Sequence, residues 1–534
     1  MSYTKTNVEL LNDLSIKNEI IPSINKCITI YGSNALFDYS EKIVFDINIL
    51  NKRLLLLEHI RNNGKERTFI KEKLNSIKEM QETINEWLFE NNYTDLYFKR
   101  NIFNYGSLLT ISNKMKFLTV IIYPLIYIVI YSVLKYFGIH YDFYSYIKSL
   151  YYGYQSTISV VITLIISKPN AIYYISHSLS ILYCLYQIYS LYNTFNNGFI
   201  RYNKCNNMEQ SFDKIKKVIH VIENISKTNL FDKLSKIKYY NDNENIKDLI
   251  TDLKEKFDNK NLGNKLLLYQ NKDYKDDFEI ILKIIGHLDA QICLSELLNQ
   301  GYSPPQFENY DKPFFIVNDV FHPLLSQEQE VNSGTLSDPN LMIITGPNKS
   351  GKSTFMKSLT LSIYMSQVFC ISCSKSIVLT PFIDIYTYLN IPDNIGRESL
   401  FEAEINRCFN FYKKAKNLKK NEYIFCIIDE LFTGTNPPEG ISSSYAICKK
   451  LTECNNALIC ASTHFYEICK ISNVVYKKFV AEKNHHKYHF NYKIYDGISN
   501  QYIAIELLKE KGYDDDVINT ALNKLNEISL ISSI

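Results

Sequence analysis

The chain has 534 residues, 46% of them hydrophobic, and this length is too great for a single domain. The formal net charge of +3 gives no overall field of the kind that marks a nucleic-acid-binding protein. Of 12 cysteines, only Cys370 and Cys373 form a C-x-x-C pair, which excludes a zinc site built from two such pairs. His485, His486 and His489 lie in an alternating polar and aromatic stretch, typical of an exposed strand rather than of a metal site.

Residues 1–115 are charged and carry helical spacing. Leu50, Leu54, Leu57 and Ile60 recur at steps of three and four residues, which places them on one face of a helix. The sequence therefore predicts an N-terminal helical region.

Residues 116–200 differ in character from their flanks. The stretches 117–134, 149–167 and 169–200 contain no Lys, Arg, Asp or Glu. Because about 20 apolar residues suffice to cross a bilayer, this segment predicts transmembrane helices. The alternative is a buried helical bundle that is unusually apolar.

Charge returns after residue 200, and helical patterns continue over 201–312 until the sequence YSPPQF breaks them. From residue 313 to residue 534 the pattern becomes strand, loop and helix. Alternation of this kind predicts an α/β domain with a central, mostly parallel sheet. The chain is thus divided into four regions, 1–115, 116–200, 201–312 and 313–534.

A phosphate-binding loop stands early in the last region. The sequence fits G-x-x-x-x-G-K-[ST] between an apolar run and a helical pattern, as such loops require. Backbone N–H groups of the loop and the following helix N-terminus favour phosphate oxygens. Lys352 is expected to reach the β- and γ-phosphates, and Ser353 to bind Mg²⁺. The expected nucleotide-binding residues here are Gly346, Pro347, Asn348, Lys349, Ser350, Gly351, Lys352, Ser353 and Thr354.

Two further apolar runs end in polar residues downstream of this loop. Ile424 to Ile428 leads into Asp429 and Glu430, and the run NALICAST is followed by His464. Such short apolar runs suit central parallel strands, whose carboxyl ends face the ligand. Asp429 is expected to hold Mg²⁺, Glu430 to polarise the attacking water, and His464 to sense the γ-phosphate.

These motifs resemble the ATPase domain of the MutS family of DNA mismatch-repair proteins, from about residue 313 to 527. ITGPNKSGKST resembles the family's phosphate loop, DELFTGTNPPEG its acidic pair with the glycine segment that follows, and STHFYEI its Thr-His motif. VFHPLL resembles the His-Pro element that precedes the domain, and NIGRESLFEAEI the segment that reaches the partner's nucleotide. In this last segment Glu398 stands between Arg397 and Ser399, whereas the family has a G-R-S sequence.

The resemblance implies a P-loop NTPase preceded by an all-α, lever-like region, with ATP and Mg²⁺ as cofactors. It also implies a homodimer with composite sites, in which Ser399 acts on the partner's nucleotide. Tyr492, four residues before Asp496, is the candidate for stacking on adenine. The chain lacks room for a mismatch-reading domain, so DNA binding is left open.

The interpretation is therefore a membrane-associated, intracellular MutS-like ATPase with its ATPase domain on the cytoplasmic side. A soluble DNA-binding MutS homologue is one alternative. A nucleotide-gated scaffold that does not hydrolyse ATP is another, and the Asp429–Glu430 pair argues against it. A transporter ATPase of the ABC class shares the loop, but the sequence has no L-S-G-G-Q segment.

Overall fold

The computed structural model describes residues 2–89, 132, 169–241, 245–258, 265, 268–326, 328–389, 400–484, 487–499, 501 and 504–531. The chain forms two compact units. One comprises Met1–Lys78, Ile225–Glu244 and Ile281–Ile534, and the other comprises Glu79–Asn224 and Asn245–Ile280. The four regions drawn from the sequence stay a prediction.

A series of helices precedes residue 313. They are α1 Val8–Asp13, α2 Ile21–Ile24, α3 Ile30–Ser40, α4 Ile47–Asn62, α5 Gly64–Glu79, α6 Gln81–Phe89, α7 Pro169–Ser226, α8 Asn229–Ser235, α9 Ile246–Phe257 and α10 Lys272–Leu297, with a π-helical turn at Ile16–Ile20. The helix predicted around Leu50 is confirmed as α4. Asp46 caps its N-terminus by accepting from the N–H groups of Asn48 and Ile49, and Leu50, Leu57 and Ile60 are buried.

The prediction of transmembrane helices is wrong for the described part of the chain, where no helix is both long and apolar enough to cross a membrane. The stretch 169–200 forms the start of α7. It has no formal charge, but Ser, Asn, Gln, His and Tyr side chains recur through it, and polar groups oppose transfer into hydrocarbon. The stretches 117–134, apart from Ser132, and 149–167 lie outside the described residues.

Three sheets contain the described strands. The strands are β1 Tyr3–Lys5, β2 Lys42–Val44, β3 Gln306–Phe307, β4 Phe315–Val320, β5 Asn332–Leu336, β6 Leu341–Thr345, β7 Ser374–Leu379, β8 Asp384–Tyr388, β9 Ile424–Asp429, β10 Ala457–Ser462, β11 Val475–Asn484 and β12 Lys487–Asp496. The six-stranded sheet has the order β12-β11-β6-β10-β9-β8, and only the β11–β12 pairing is antiparallel. The four-stranded sheet, β3-β7-β4-β5, is mixed, and β1 pairs with β2.

The helices of the α/β domain are α11 Lys352–Phe369, α12 Leu400–Lys416, α13 Pro437–Leu451, α14 Ala504–Glu510 and α15 Asp515–Ile531, with a 3₁₀ turn at Tyr466–Lys470. All residues of β6 and β10 are buried, as is β9 up to Asp429. Burial on both faces explains why these strands read as continuous apolar runs. It also places reduced cysteines, including Cys426 and Cys460, inside the sheet.

The end of α11 that lies away from the phosphate loop is held by residues 40–53. Tyr364 donates its hydroxyl to Ser40 O at 2.7 Å, and Gln367 donates to Val44 O at 2.8 Å. Arg53 of α4 is fully buried and donates to the carbonyls of Gln367 and Val368 at 3.3 and 2.6 Å. Arg53 thereby satisfies two of the carbonyls in the last turn of α11, those of Gln367 and Val368.

The second unit has its own aromatic core. The Trp87 and Phe278 rings lie 5.0 Å apart, and Phe212 stacks on Phe257 at 4.9 Å. The Trp87 indole N–H donates to Tyr269 O at 2.7 Å, which satisfies the polar end of a buried ring.

Candidate functional site

The phosphate loop joins β6 to α11 and makes two turns that require glycine. Gly346 and Gly351 have φ values of 150° and 105°. A Cβ on Gly346 would lie 2.9 Å from Phe479 O, so a larger residue has no room there. Lys349 also adopts a left-handed conformation, with φ 66°. These glycines give the loop the tight turns that a phosphate-binding backbone needs at the start of a helix.

Lys352, the first residue of α11, is 5% exposed and points back into the loop. Its ammonium donates to the carbonyls of Gly346 and Pro347 at 2.9 and 3.2 Å. Burial lowers the pKa of Lys352, while the carboxylates of Glu430 and Asp429 act in the opposite direction. This lysine is a cation held inside the loop, where it can meet the charge of a bound phosphate.

Ser350 supplies an independent sign that the loop accepts an anion. The residue is 1% exposed, and its Oγ has no hydrogen-bond partner among the described residues. Buried hydroxyls are normally satisfied, so this group calls for an acceptor that the chain itself does not provide. A phosphate oxygen fits that requirement.

The acidic pair lies at the carboxyl end of β9, beside the end of β10. Ser462 pairs in register with Asp429, and its hydroxyl donates to Asp429 Oδ1. The same hydroxyl accepts the N–H of Glu430 at 3.2 Å. Glu430 itself has φ 57°, a conformation that few non-glycine residues adopt. One serine thus connects both acidic residues to the neighbouring strand.

His464 brings the acidic pair and the loop together. Its Nε2 lies 2.7 Å from Glu430 Oε1 and 3.5 Å from Lys352 Nζ. The hydrogen bond from His464 lowers the pKa of Glu430 and outweighs the effect of partial burial. Glu430 is therefore held as a carboxylate, the form that can accept a proton from water.

A pocket of about 500 Å³ opens over these groups. Its wall contains the predicted residues Asn348, Lys349, Ser350, Gly351, Lys352, Ser353, Thr354, Glu430 and Tyr492. Tyr492 is 49% exposed and lies 3.4 Å from a Cβ built on Gly351, so its ring borders the loop. Asp429 and His464 are not among the lining residues: Asp429 bonds to Ser462, and His464 contacts the lining residues Glu430 and Lys352. Ser399 lies outside the described residues.

Sequence reasoning missed three parts of this site. Described residues between 320 and 332 also line the pocket, among them Leu325, Gln329 and Asn332, and they form the wall that faces the loop. Ser462 was not singled out, although its place at the end of the third apolar run was a usable signal. Glu404, on α12, contacts the segment that follows the acidic pair, and no local pattern marks it.

Ser353 and Asp429 are the candidate ligands for Mg²⁺, and both offer the oxygen donors that this cation prefers. No group of three or more His, Cys, Asp or Glu side chains suited to a metal occurs in the described part of the chain. Of the histidine cluster, His485 and His486 lie outside the described residues.

A glycine loop between a central parallel strand and a helix, facing an acidic pair two strands away, defines a P-loop nucleotide-binding domain. Residues 342–529 match the family model for MutS domain V, the ATPase domain of MutS-family proteins. This match confirms the resemblance that the motifs of the same region indicate.

Proposed function

We propose that the chain hydrolyses ATP with Mg²⁺ at the pocket between the phosphate loop and the acidic pair. The observation that carries this proposal is the convergence of Lys352 and Glu430 on His464, whose Nε2 lies 3.5 Å from Lys352 Nζ and 2.7 Å from Glu430 Oε1. The match of residues 342–529 to MutS domain V supports ATP as the nucleotide.

Each side chain has a role that follows from its position. Lys352 and Asn348 stabilise charge on the phosphates. Glu430 accepts a hydrogen bond from a water, whose oxygen bonds to the γ-phosphorus as the bond to ADP breaks. Ser353 and Asp429 would hold Mg²⁺, which neutralises phosphate charge when bound. His464, in contact with both Glu430 and Lys352, is placed to respond to the γ-phosphate.

Tyr492 is proposed to stack on the adenine. It is half-exposed at the edge of the pocket and is held in place by its backbone, since its carbonyl accepts from Asn332 at 2.9 Å. Asn332 also accepts from the N–H of Ile494 at 2.9 Å, so this part of β12 is fixed from the opposite wall.

The Glu430→Gln variant tests hydrolysis. We expect it to bind ATP while losing about 10²-fold or more in turnover, the scale of general-base loss. Steady-state turnover and binding of a non-hydrolysable ATP analogue measure the two effects. Glu453→Gln is the matched control, because Glu453 pairs with Lys450 on the surface and should keep the wild-type rate. Full turnover by the Glu430 variant would remove this residue from the mechanism.

A homodimer with composite sites is the second part of the proposal, and the common dimerisation of MutS-family proteins supports it. We expect Ser399→Ala subunits mixed with Lys352→Ala subunits to recover part of the activity that each lacks. In the mixed dimer, one site has both an intact loop and an intact partner serine. A mixture no more active than the sum of its components would contradict the composite site.

DNA binding and cellular location stay predictions. Titration of labelled duplex and branched DNA tests the first, and fractionation of a tagged full-length chain tests the second. A nucleotide-gated scaffold would bind ATP without hydrolysing it. The wild-type turnover, measured beside the Glu430→Gln variant, distinguishes such a scaffold from an ATPase.

A further inference from the structure

The segment that follows the acidic pair, residues 431–435, is held by side chains from three other elements. Ser444 of α13 donates to Leu431 O at 2.8 Å. Tyr388, at the end of β8, accepts the N–H of Phe432 at 3.4 Å. Glu404 of α12 accepts the N–H of Gly434 at 3.2 Å and the hydroxyl of Thr433 at 3.5 Å. The segment is therefore fixed along its whole length.

Glu404 is an unusual residue to find in this position. It is 4% exposed, and its partners are the neutral donors of Thr433, Gly434 and Tyr388, with no cation paired to it among the described residues. Burial raises the pKa of Glu404, and these donors oppose the effect. A buried carboxyl group without a cation costs stability, which an apolar residue on α12 would avoid.

The backbone is strained at Glu430, just before this segment, and at Phe432 within it. Glu430 and Phe432 have φ values of 57° and 59°, both in the left-handed region. Non-glycine residues persist in this region only where surrounding contacts determine the conformation. Without those contacts, the backbone at Glu430 can relax and carry its carboxylate away from His464.

We propose that Glu404 is a positioning residue for ATP hydrolysis, which acts through residues 431–435 to keep the Glu430 carboxylate at the pocket. The inference rests on the proposed function, since it assigns Glu404 a role only through Glu430. Tyr388 takes part in the same network, because its hydroxyl meets both the Phe432 N–H and the Glu404 carboxyl group.

The test compares Glu404→Ala with Glu404→Gln. We expect the alanine variant to lose about 10- to 100-fold in kcat, as small misplacements of a catalytic group do, with KM for ATP and analogue affinity kept within about twofold. Glutamine keeps an oxygen that can accept from Gly434 and should restore a substantial part of the rate. A wild-type kcat in the alanine variant would overturn the proposal.

A double variant separates positioning from a general structural role. If Glu404 acts only through Glu430, Glu404→Ala should not lower the residual rate of Glu430→Gln any further. Independent, multiplicative losses would contradict the proposal. A fully active Glu430→Gln would instead refute the proposed function, so the two failures are distinguishable.

A milder variant covers the case in which Glu404→Ala fails to bind the analogue because it does not fold. Tyr388→Phe keeps the ring and removes only the hydroxyl that contacts the network. We expect it to lower kcat by about three- to tenfold at unchanged KM, on the scale of one lost hydrogen bond. An unchanged kcat in this variant would overturn the proposal.

Discussion

The two ends of α11 are built in different ways. At its start, Lys352 bonds to carbonyls five and six positions away in the chain. At its other end, Arg53 bonds to carbonyls 314 and 315 positions away. The first end is specified by one short motif, and the second depends on the folded arrangement of distant segments. The binding end of this helix is therefore readable from local sequence, whereas its anchored end is not.

The anchored end has a chemistry of its own. Arg53 lies 4.4 Å from the centre of the Tyr239 ring, 5.5 Å from Tyr39 and 5.8 Å from Tyr240. No carboxylate of the described residues pairs with it. Tyr240 accepts its Nε–H at 3.0 Å, and the α11 carbonyls of Gln367 and Val368 accept from Nη1 and Nη2. Aromatic faces and a helix C-terminus thus replace a counter-ion.

The largest expected effect comes from breaking the anchored end. Arg53→Met should lower the apparent free energy of unfolding by about 3–5 kcal/mol, because it leaves buried carbonyls unsatisfied. Thermal unfolding followed by circular dichroism measures the loss. Nucleotide affinity at a temperature where the variant is folded should stay within about threefold of wild type. Arg61→Met, a change on the exposed part of the same helix, is the control.

A substitution at the start of α11 should lower nucleotide affinity and leave the stability of the fold unchanged. Lys352→Ala should cost about 2–3 kcal/mol of ATP binding, near 100-fold in affinity, by removing a charged contact to phosphate. Its unfolding midpoint should not fall, since burial already disfavours the charged form of this lysine. Fluorescent-nucleotide titration and thermal unfolding measure both quantities. If Lys352→Ala lowered the unfolding midpoint as much as Arg53→Met does, the two ends of α11 would not differ in their contribution to stability.

Lower pH should reduce the stability of the fold through His287, which packs on Tyr39 beside the anchored end of α11. His287 stacks on Tyr39, and its Nδ1 is hydrogen-bonded to the Tyr39 hydroxyl at 2.9 Å. Burial lowers the pKa of His287 to about 3. The folded state therefore excludes a proton that the unfolded chain binds below about pH 6.5. This contribution to stability is complete above that pH and is lost as the pH falls towards 3, at up to about 1.4 kcal/mol per pH unit.

The measurement compares unfolding midpoints of wild type and His287→Asn at pH 7.5 and 5. We expect the difference between the proteins to shrink or reverse at pH 5, because asparagine does not titrate. Parallel curves would show that His287 does not control the acid sensitivity of this region.

The sequence predicted the central strands, whose apolar runs are a local signal, and it missed the buried charged residues, which only the fold reveals. The strands β6, β9 and β10 and the groups at their ends follow one another in a readable order, from Gly346 to Asp429 to His464. Arg53 and Glu404 resemble ordinary charged positions on amphipathic helices, and only the fold shows that they are buried. The transmembrane prediction failed in α7 because it took the absence of charge for apolarity.

Buried cysteines in and beside the six-stranded sheet can be used to measure local opening of this domain. Burial raises the pKa values of Cys426 and Cys460 and holds that of Cys448, on α13, at about 12. These sulfurs are buried and only the thiolate reacts, so an alkylating reagent can modify them only when this part of the domain opens locally. The labelling rate at each thiol therefore measures how often the surrounding structure opens. Nucleotide binding should lower this rate.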